Sequence, residues 1–283
     1  DVAFGGLQKY RGSYAQFVRQ KEQRRADYLR QYAAQQKKIR ETEEFIRRNK
    51  AGVNAKMARG RQKQLDRMDR MPPPNFIGKP YISFAQLPLA PQRALTVEGL
   101  EVGYRTPLLP RLDLSLQSGE KLVITGFNGI GKSTLLKTLV GDLEPLGGSF
   151  TFSDPVRIGY YEQELRWAVP SLTPLEVIGG AYPQLSQREV RRALAQCGVK
   201  EDCVRQPLST LSGGEQSKVK LCRLLLLPCN FLILDEPTNH LDAEAKGSLQ
   251  AALTCFSGSV ILVSHEEDFY RDWADRTLRI GSL

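Results

Sequence analysis

The chain has 283 residues, 41% of them apolar, with 40 Lys and Arg against 31 Asp and Glu and a net charge of +9. That length and apolar share support about two domains and one good core. The longest apolar stretch, Leu221 to Leu234, is interrupted by Arg223, Pro228 and Asn230, so nothing reaches the roughly 20 apolar residues a membrane span needs.

The charge is unevenly spread. Residues 1–80 carry 20 basic and 8 acidic side chains, net +12, whereas the remaining 203 carry 20 and 23. A positive arm on a near-neutral globule points to a polyanion such as nucleic acid, with a solvated helical face as the alternative. The five cysteines (Cys197, Cys203, Cys222, Cys229, Cys255) are odd in number and lack CxxC spacing. They read as reduced small hydrophobes in a cytoplasmic protein. No signal peptide is visible, and a start at Asp1 rather than methionine reads as a fragment.

In chain order, the last seven residues, TLRIGSL, resemble the first seven, DVAFGGL, in Gly281 against Gly5 and Leu283 against Leu7. Either this is chance or residues 1–12 are the tail of a preceding domain of the same kind as the one that ends the chain. From Ser13 to about Asn49 there is no proline and Ala, Gln, Glu, Lys and Arg dominate, which predicts one long helix of about 55 Å. Tyr14, Val18, Tyr28, Tyr32, Ile39 and Ile46 give it a thin 3-4 spaced stripe, interrupted at Lys21, Arg25, Gln35 and Thr42. Ala51-Gly52-Val53-Asn54 breaks it, and Asn54 is placed to cap a second helix. That second helix has Met57, Leu65 and Met68 on a sparse apolar edge and about half the length of the first. A basic helical hairpin over residues 13–71, with its tip near Gly52, is the expected shape. Six prolines in residues 72–92 read as an extended connector.

Residues 93–283 read as an α/β nucleotide-binding core. Leu95 to Val102 and Lys121 to Thr125 are β-like, and a helix begins near Gly131. The near-continuous apolar runs Phe231 to Leu234 and Val260 to Val263 match buried parallel strands. Residues about 165–228 are helical in pattern and form a subdomain with LSGGEQ at the start of a helix.

GFNGIGKST at Gly126 to Thr134 fits the phosphate-loop spacing GxxxxGK[ST] after a strand. Gly126, Gly129 and Gly131 let backbone amides of the loop, Asn128 among its residues, approach phosphate oxygens. Lys132 neutralises the β- and γ-phosphates, Ser133 offers a hydroxyl to magnesium, and Thr134 follows at the helix start. Asp235 ends FLILD and suits a water-bridged magnesium, while Glu236 can polarise an attacking water. Gln163, after an edge strand, can ligate magnesium and sense the γ-phosphate. His265 follows SVILV at a strand's C-terminal end, where α/β proteins place ligands, and a γ-phosphate contact is the reading preferred to a structural one. His240, within PTNHLD, shapes a turn instead. Tyr104, 22 residues before Gly126, either stacks on adenine or is a half-buried strand-end tyrosine. In LSGGEQ, Ser212, Gly213 and Gly214, with Gln216 in the same signature, open a helix and offer a second amide anion site. Lying about 80 residues after the phosphate loop, that site is expected to grip ATP on a second nucleotide-binding domain.

These motifs resemble the ATP-binding cassette superfamily, and EPTNHLD at Glu236 to Asp242 with VSHEEDF at Val263 to Phe269 resembles its F subfamily. Residues 10–71 look like that subfamily's interdomain linker, so the chain is similar to its C-terminal half. The resemblance implies an ATPase using ATP and Mg2+, two cassettes closed by ATP and released by hydrolysis, and no transmembrane domain. It also implies a ribosomal partner, with the linker reaching toward rRNA and the P-site tRNA through Arg47, Arg48, Lys50, Lys56, Arg59, Arg61 and Lys63; some such proteins protect ribosomes from antibiotics. The second cassette would come in cis or from a head-to-tail homodimer. Two departures are Ser13 where the family commonly has Asn, and Glu266-Glu267 where it has Asp-Arg. The competing readings are a transporter's ATPase subunit, which leaves the basic hairpin unexplained, and a DNA-repair ATPase, whose coil is inserted between phosphate loop and signature rather than ahead of both.

Overall fold

The computed structural model describes residues 2–3, 6–7, 14–51, 53–71, 82–88 and 92–281, and divides into two compact units, Asp1–Phe76 and Ile77–Leu283. In the first, β1 (Val2–Ala3) and β2 (Gly6–Leu7) pair antiparallel, followed by α1 (Tyr14–Arg48) and α2 (Ala55–Asp66). At 35 residues α1 is about 52 Å long. α2 has 12 residues, a third of α1 rather than the expected half. The chain beyond it is tied to α1: the Gln35 amide donates to the Asp69 carbonyl at 2.9 Å and accepts from the Met71 N–H at 2.8 Å. Ala58 and Leu65, seven residues apart, are the buried positions of α2, and Ile39 that of α1 among the described side chains. Met57 is 55% exposed, so it does not belong to the apolar edge. Nor does Asn54 cap α2; its amide donates to Asn49 Oδ1 at 3.3 Å and makes no cap bond. Gly52, with the side chains of Tyr14 and Val18, lies outside the described residues.

The second unit contains β3 (Arg93–Glu101), β4 (Leu112–Gln117), β5 (Lys121–Thr125), α3 (Lys132–Val140), β6 (Gly147–Phe152), β7 (Ile158–Tyr161), α4 (Pro174–Ala181), α5 (Gln187–Gln196), α6 (Glu201–Val204), α7 (Gly213–Leu226), β8 (Phe231–Asp235), α8 (Ala243–Cys255), β9 (Ser259–Val263), α9 (Glu267–Tyr270) and β10 (Arg276–Arg279). The strands form a parallel sheet in the order β10-β5-β9-β8-β7 and an antiparallel sheet in the order β4-β3-β6. All five residues of β8 and of β9 are buried. Period-2 alternation sends them to opposite sides: Phe231, Ile233, Ile261 and Val263 pack toward the antiparallel sheet and α3, while Leu232, Leu234, Val260 and Leu262 pack toward the helical subdomain. The parallel sheet is thus the middle layer, which is why its strands are apolar throughout.

Part of the expected connector belongs to this unit. Ile82 and Phe84 are buried, and the Ala85 N–H donates to the Leu225 carbonyl while Ala85 accepts from the Cys229 N–H, both at 3.1 Å. Residues 72–81 lie outside the described residues. The five cysteines are free thiols, four buried and Cys255 exposed.

Candidate active site

β5 delivers the chain at Thr125 into the loop Gly126–Gly131, which turns into α3. A side chain at Gly126 would place its Cβ 2.6 Å from the Ile280 carbonyl oxygen, and Gly131, at φ +115°, takes a conformation that L side chains rarely adopt. Lys132 opens α3 and is 7% exposed. Its ammonium donates to the carbonyls of Gly126 and Phe127 at 2.8 and 2.9 Å and lies 3.2 Å from His265 Nε2. Burial lowers its pKa, opposed by the charges of Glu236 and Asp235.

Asp235 ends β8 and Glu236 follows at φ +47°. For a non-glycine residue that conformation costs about 1–3 kcal/mol. It is held by the Glu236 N–H donating to the Val263 carbonyl at 3.0 Å and the Asn239 N–H donating to the Glu236 carbonyl at 3.1 Å. Burial, reinforced by repulsion from Asp235, pushes the Glu236 carboxyl up to about 7, with Lys132 pulling the other way. Asp235 is also raised by burial, opposed by a hydrogen bond from Ser133 and by Lys132. His265 Nε2 lies 3.2 Å from Glu236 Oε1. Burial and then Lys132 lower the imidazole pKa. According to its tautomer, Nε2 accepts from Lys132 or donates to Glu236.

These groups meet in a cleft of about 530 Å³ lined by Asn128, Gly129, Gly131, Lys132, Ser133, Thr134, Gln163, Asp235, Glu236, Asn239, Val263, His265 and Glu266. Gly126 adjoins it through the carbonyl that Lys132 holds. Tyr104 is not among the lining residues. It is 66% exposed on the turn closed by the Gly103–Pro107 bridge beyond β3, so it is no half-buried strand-end residue. Asn239 and Glu266 were missed by sequence reasoning, although both flank singled-out residues. Glu266 does not set a bare negative charge in the cleft, because Lys246 binds both its oxygens at 2.7 and 2.9 Å.

The site fits a hydrated magnesium ion. Asp235 Oδ1 is buried with no hydrogen-bond partner, and an unpartnered buried carboxylate oxygen is costly unless something supplies positive charge or a donor. Ser133 and Gln163 line the same cleft.

The signature residues lie apart from the cleft lining. Ser212 caps α7: its Oγ accepts from the Glu215 N–H at 3.3 Å, while its own N–H and hydroxyl donate to Glu215 Oε2 at 2.9 and 2.8 Å, a capping box. Gln216 accepts from the Trp167 indole at 2.9 Å and donates to the Leu211 carbonyl at 3.0 Å. At Gly214 a Cβ would lie 2.7 Å from the His240 carbonyl oxygen, and a Cβ at Gly213 would be 3.7 Å from the His240 ring. His240, at φ +66°, therefore shapes the turn against which the signature packs. The seven basic residues of the hairpin, Arg47, Arg48, Lys50, Lys56, Arg59, Arg61 and Lys63, are all exposed. Arg48 lies 3.5 Å from Glu44, and the Arg61 guanidinium sits 3.9 Å over the Phe45 ring.

Two family models, both described as ABC transporter, match residues 1–84 and 109–239. The chain belongs to the ATP-binding cassette family and carries its ATPase domain. Its relatives include an uncharacterized ABC transporter ATP-binding protein, YfmM, of Bacillus subtilis, 41% identical over 96% of this chain and 52% of that protein. The probable ATP-binding protein YbiT of Escherichia coli O157:H7 is 36% identical over 99% of this chain and 54% of that one. ABC transporter F family member 2 of Arabidopsis thaliana is 31% identical over 99% and 42%. The F-type likeness read from EPTNHLD and VSHEEDF is the one that relative's name carries. The chain spans about half the length of these relatives. Among solved structures, a putative ABC transporter ATP-binding protein from Pyrococcus furiosus superposes with a TM-score of 0.56 at 25% identity, covering 67% of this chain and 99% of that one. A dimeric cassette in a post-hydrolysis state with ADP and Pi gives 0.57 at 21% identity, covering 66% and 94%, and shows the shared fold. No described helix is long and apolar enough to cross a membrane.

Proposed function

We propose that this chain is the C-terminal half of an F-type ATPase that works on the ribosome: residues 1–12 continue a preceding cassette, 13–71 form the RNA-contacting linker, and 93–283 form the second cassette. The observation that carries the ATPase part is the single cleft joining the phosphate loop to Gln163, Asp235, Glu236 and His265. Lys132 exchanges its carbonyl partners for β- and γ-phosphate oxygens. Ser133, Asp235 and Gln163 hold the magnesium, which neutralises charge on the phosphates when bound. Glu236 takes a proton from the attacking water, His265 contacts the γ-phosphate, and exposed Tyr104 stacks on adenine. Ser212, Gly213 and Gly214, outside this cleft, serve the ATP of a second cassette, so ATP joins two cassettes and its hydrolysis releases them.

The base assignment sets a pH dependence. Protonated Glu236 cannot accept a proton, so kcat/KM for ATP should rise with pH through about 7 and level off above it. A profile that is flat from pH 5.5 to 8.5 would remove Glu236 from that role.

The RNA reading rests on the seven exposed cations, with no acidic residue between Arg47 and Lys63, a density that self-repulsion opposes unless phosphates neutralise it. Each phosphate contact contributes roughly 0.7–0.9 to the slope of log affinity against log salt. Replacing Arg47, Lys56 and Arg59 with Gln should therefore flatten the slope for ribosome binding by about 2–3, leaving ATP binding intact. Cosedimentation with ribosomes across a salt series, with duplex DNA in parallel, tests this. An unchanged slope sinks the linker contact, and binding to DNA but not to ribosomes sinks the ribosomal assignment.

A further inference from the structure

Gln163 is exposed, lies two residues beyond the end of β7 and makes no side-chain hydrogen bond among the described residues. The segment that carries it, Glu162 to Glu164, has no strand or helix ladder to hold its backbone. A side chain from elsewhere does so. Lys220, on α7, sends its ammonium to the carbonyl oxygens of Glu162 and Glu164, both at 2.7 Å, so the carbonyls of the residues before and after Gln163 converge on one cation. The same ammonium lies 3.9 Å from Glu162 Oε2 and 5.5 Å from the centre of the Tyr161 ring. From the other side Lys137, on α3, pairs with Glu162 Oε1 at 3.2 Å. The three-residue segment is thus held between the helix that begins at the phosphate loop and the helix that Ser212 caps.

We propose that Lys220 is a positioning residue: by clamping the carbonyls of Glu162 and Glu164 it fixes the backbone that aims Gln163 at the magnesium position, and it ties that aim to α7. Two charge-assisted hydrogen bonds from one partly buried ammonium are a strong local constraint. Without them the segment gains backbone freedom, and Gln163 meets the ion only in a fraction of its conformations. Lys220 itself lines no part of the cleft. The inference rests on the reading of Gln163 as a magnesium ligand.

The variant to use is Lys220→Met, which keeps the aliphatic stem against Tyr161 and removes the charge. Binding of a fluorescent ATP analogue is titrated in EDTA and then across a Mg2+ series, for Lys220→Met, Gln163→Ala and the double variant. The expected result is unchanged affinity in EDTA and a Mg2+ midpoint raised by roughly tenfold in each single variant. The double variant should be no worse than Gln163→Ala, because the two residues act in one chain of contacts. If Gln163→Ala shifts the midpoint and Lys220→Met does not, or if the two shifts add in full, the positioning role is overturned. If Gln163→Ala leaves the midpoint unchanged, the ligand reading of Gln163 fails, and this inference with it. Should Lys220→Met fold poorly, Lys220→Gln, which can donate to one carbonyl at a time, should give an intermediate shift; no shift there overturns the proposal equally.

Discussion

Replacing Glu236 with Gln should lower ATP turnover by about 10²–10⁴-fold, the usual contribution of a general base, while ATP affinity is retained. The amide keeps the shape of the carboxyl and its contacts, but it cannot take a proton from water. Nothing structural should be lost, because the fold disfavours the charge at this position: burial and Asp235 raise the Glu236 pKa from 4.5 to about 7. A carboxyl whose folded pKa is raised stabilises the protein below its unfolded pKa and loses that contribution as pH rises through the folded value. Relative to wild type, Glu236→Gln should therefore gain thermal stability between pH 4.5 and 7 and keep the gain above 7. Equal turnover in the two proteins, measured by phosphate release at pH 8, would show that the base lies elsewhere.

Lys132→Ala should weaken ATP binding by roughly 100-fold or more, the loss of one or two charge-assisted bonds of about 1.5–3 kcal/mol each. The ammonium is already desolvated and directed at the loop carbonyls of Gly126 and Phe127, so little reorganisation is needed for it to meet phosphate. The same change removes the cation that offsets Asp235 and Glu236, which should push both carboxyls further up. Calorimetric titration with ATP decides the point: an unaltered dissociation constant would show that Lys132 does not meet the nucleotide. Together the two substitutions separate binding from chemistry, since one weakens the complex and the other keeps it while blocking turnover.

Much of the cassette was legible because its inner strands are buried on both faces. Phe231 to Leu234 and Val260 to Val263 are the short apolar runs that a strand buried on both faces needs. β4 and β6 were harder, since LDLSLQ and GGSFTF belong to a sheet that is partly exposed; the alternation of Leu112, Leu114 and Leu116 was the available signal. The long helix α1 was readable from its lack of proline, but the length of α2 was not. The chain just past its end is tied to Gln35, 34 residues from its partner Asp69, and local composition carries no trace of that bond. The cleft residues followed from motif spacing, whereas Asn239 and Glu266 did not, because a residue type without a spacing rule becomes visible only when the chain folds. The clamp of Lys220 on Glu162, 58 residues away, is of the same kind.

The central claim, that the site at Lys132 is completed by Ser212 of another cassette, is tested most directly by turnover per chain as a function of protein concentration, for wild type and Ser212→Arg. Phosphate release would be followed at saturating MgATP across a dilution series that brackets the monomer. Turnover per chain should rise with concentration and reach a plateau as cassettes pair, and Ser212→Arg should abolish the rise while leaving ATP binding intact. Turnover per chain that is constant down to a proven monomer, and indifferent to Ser212→Arg, would contradict the account.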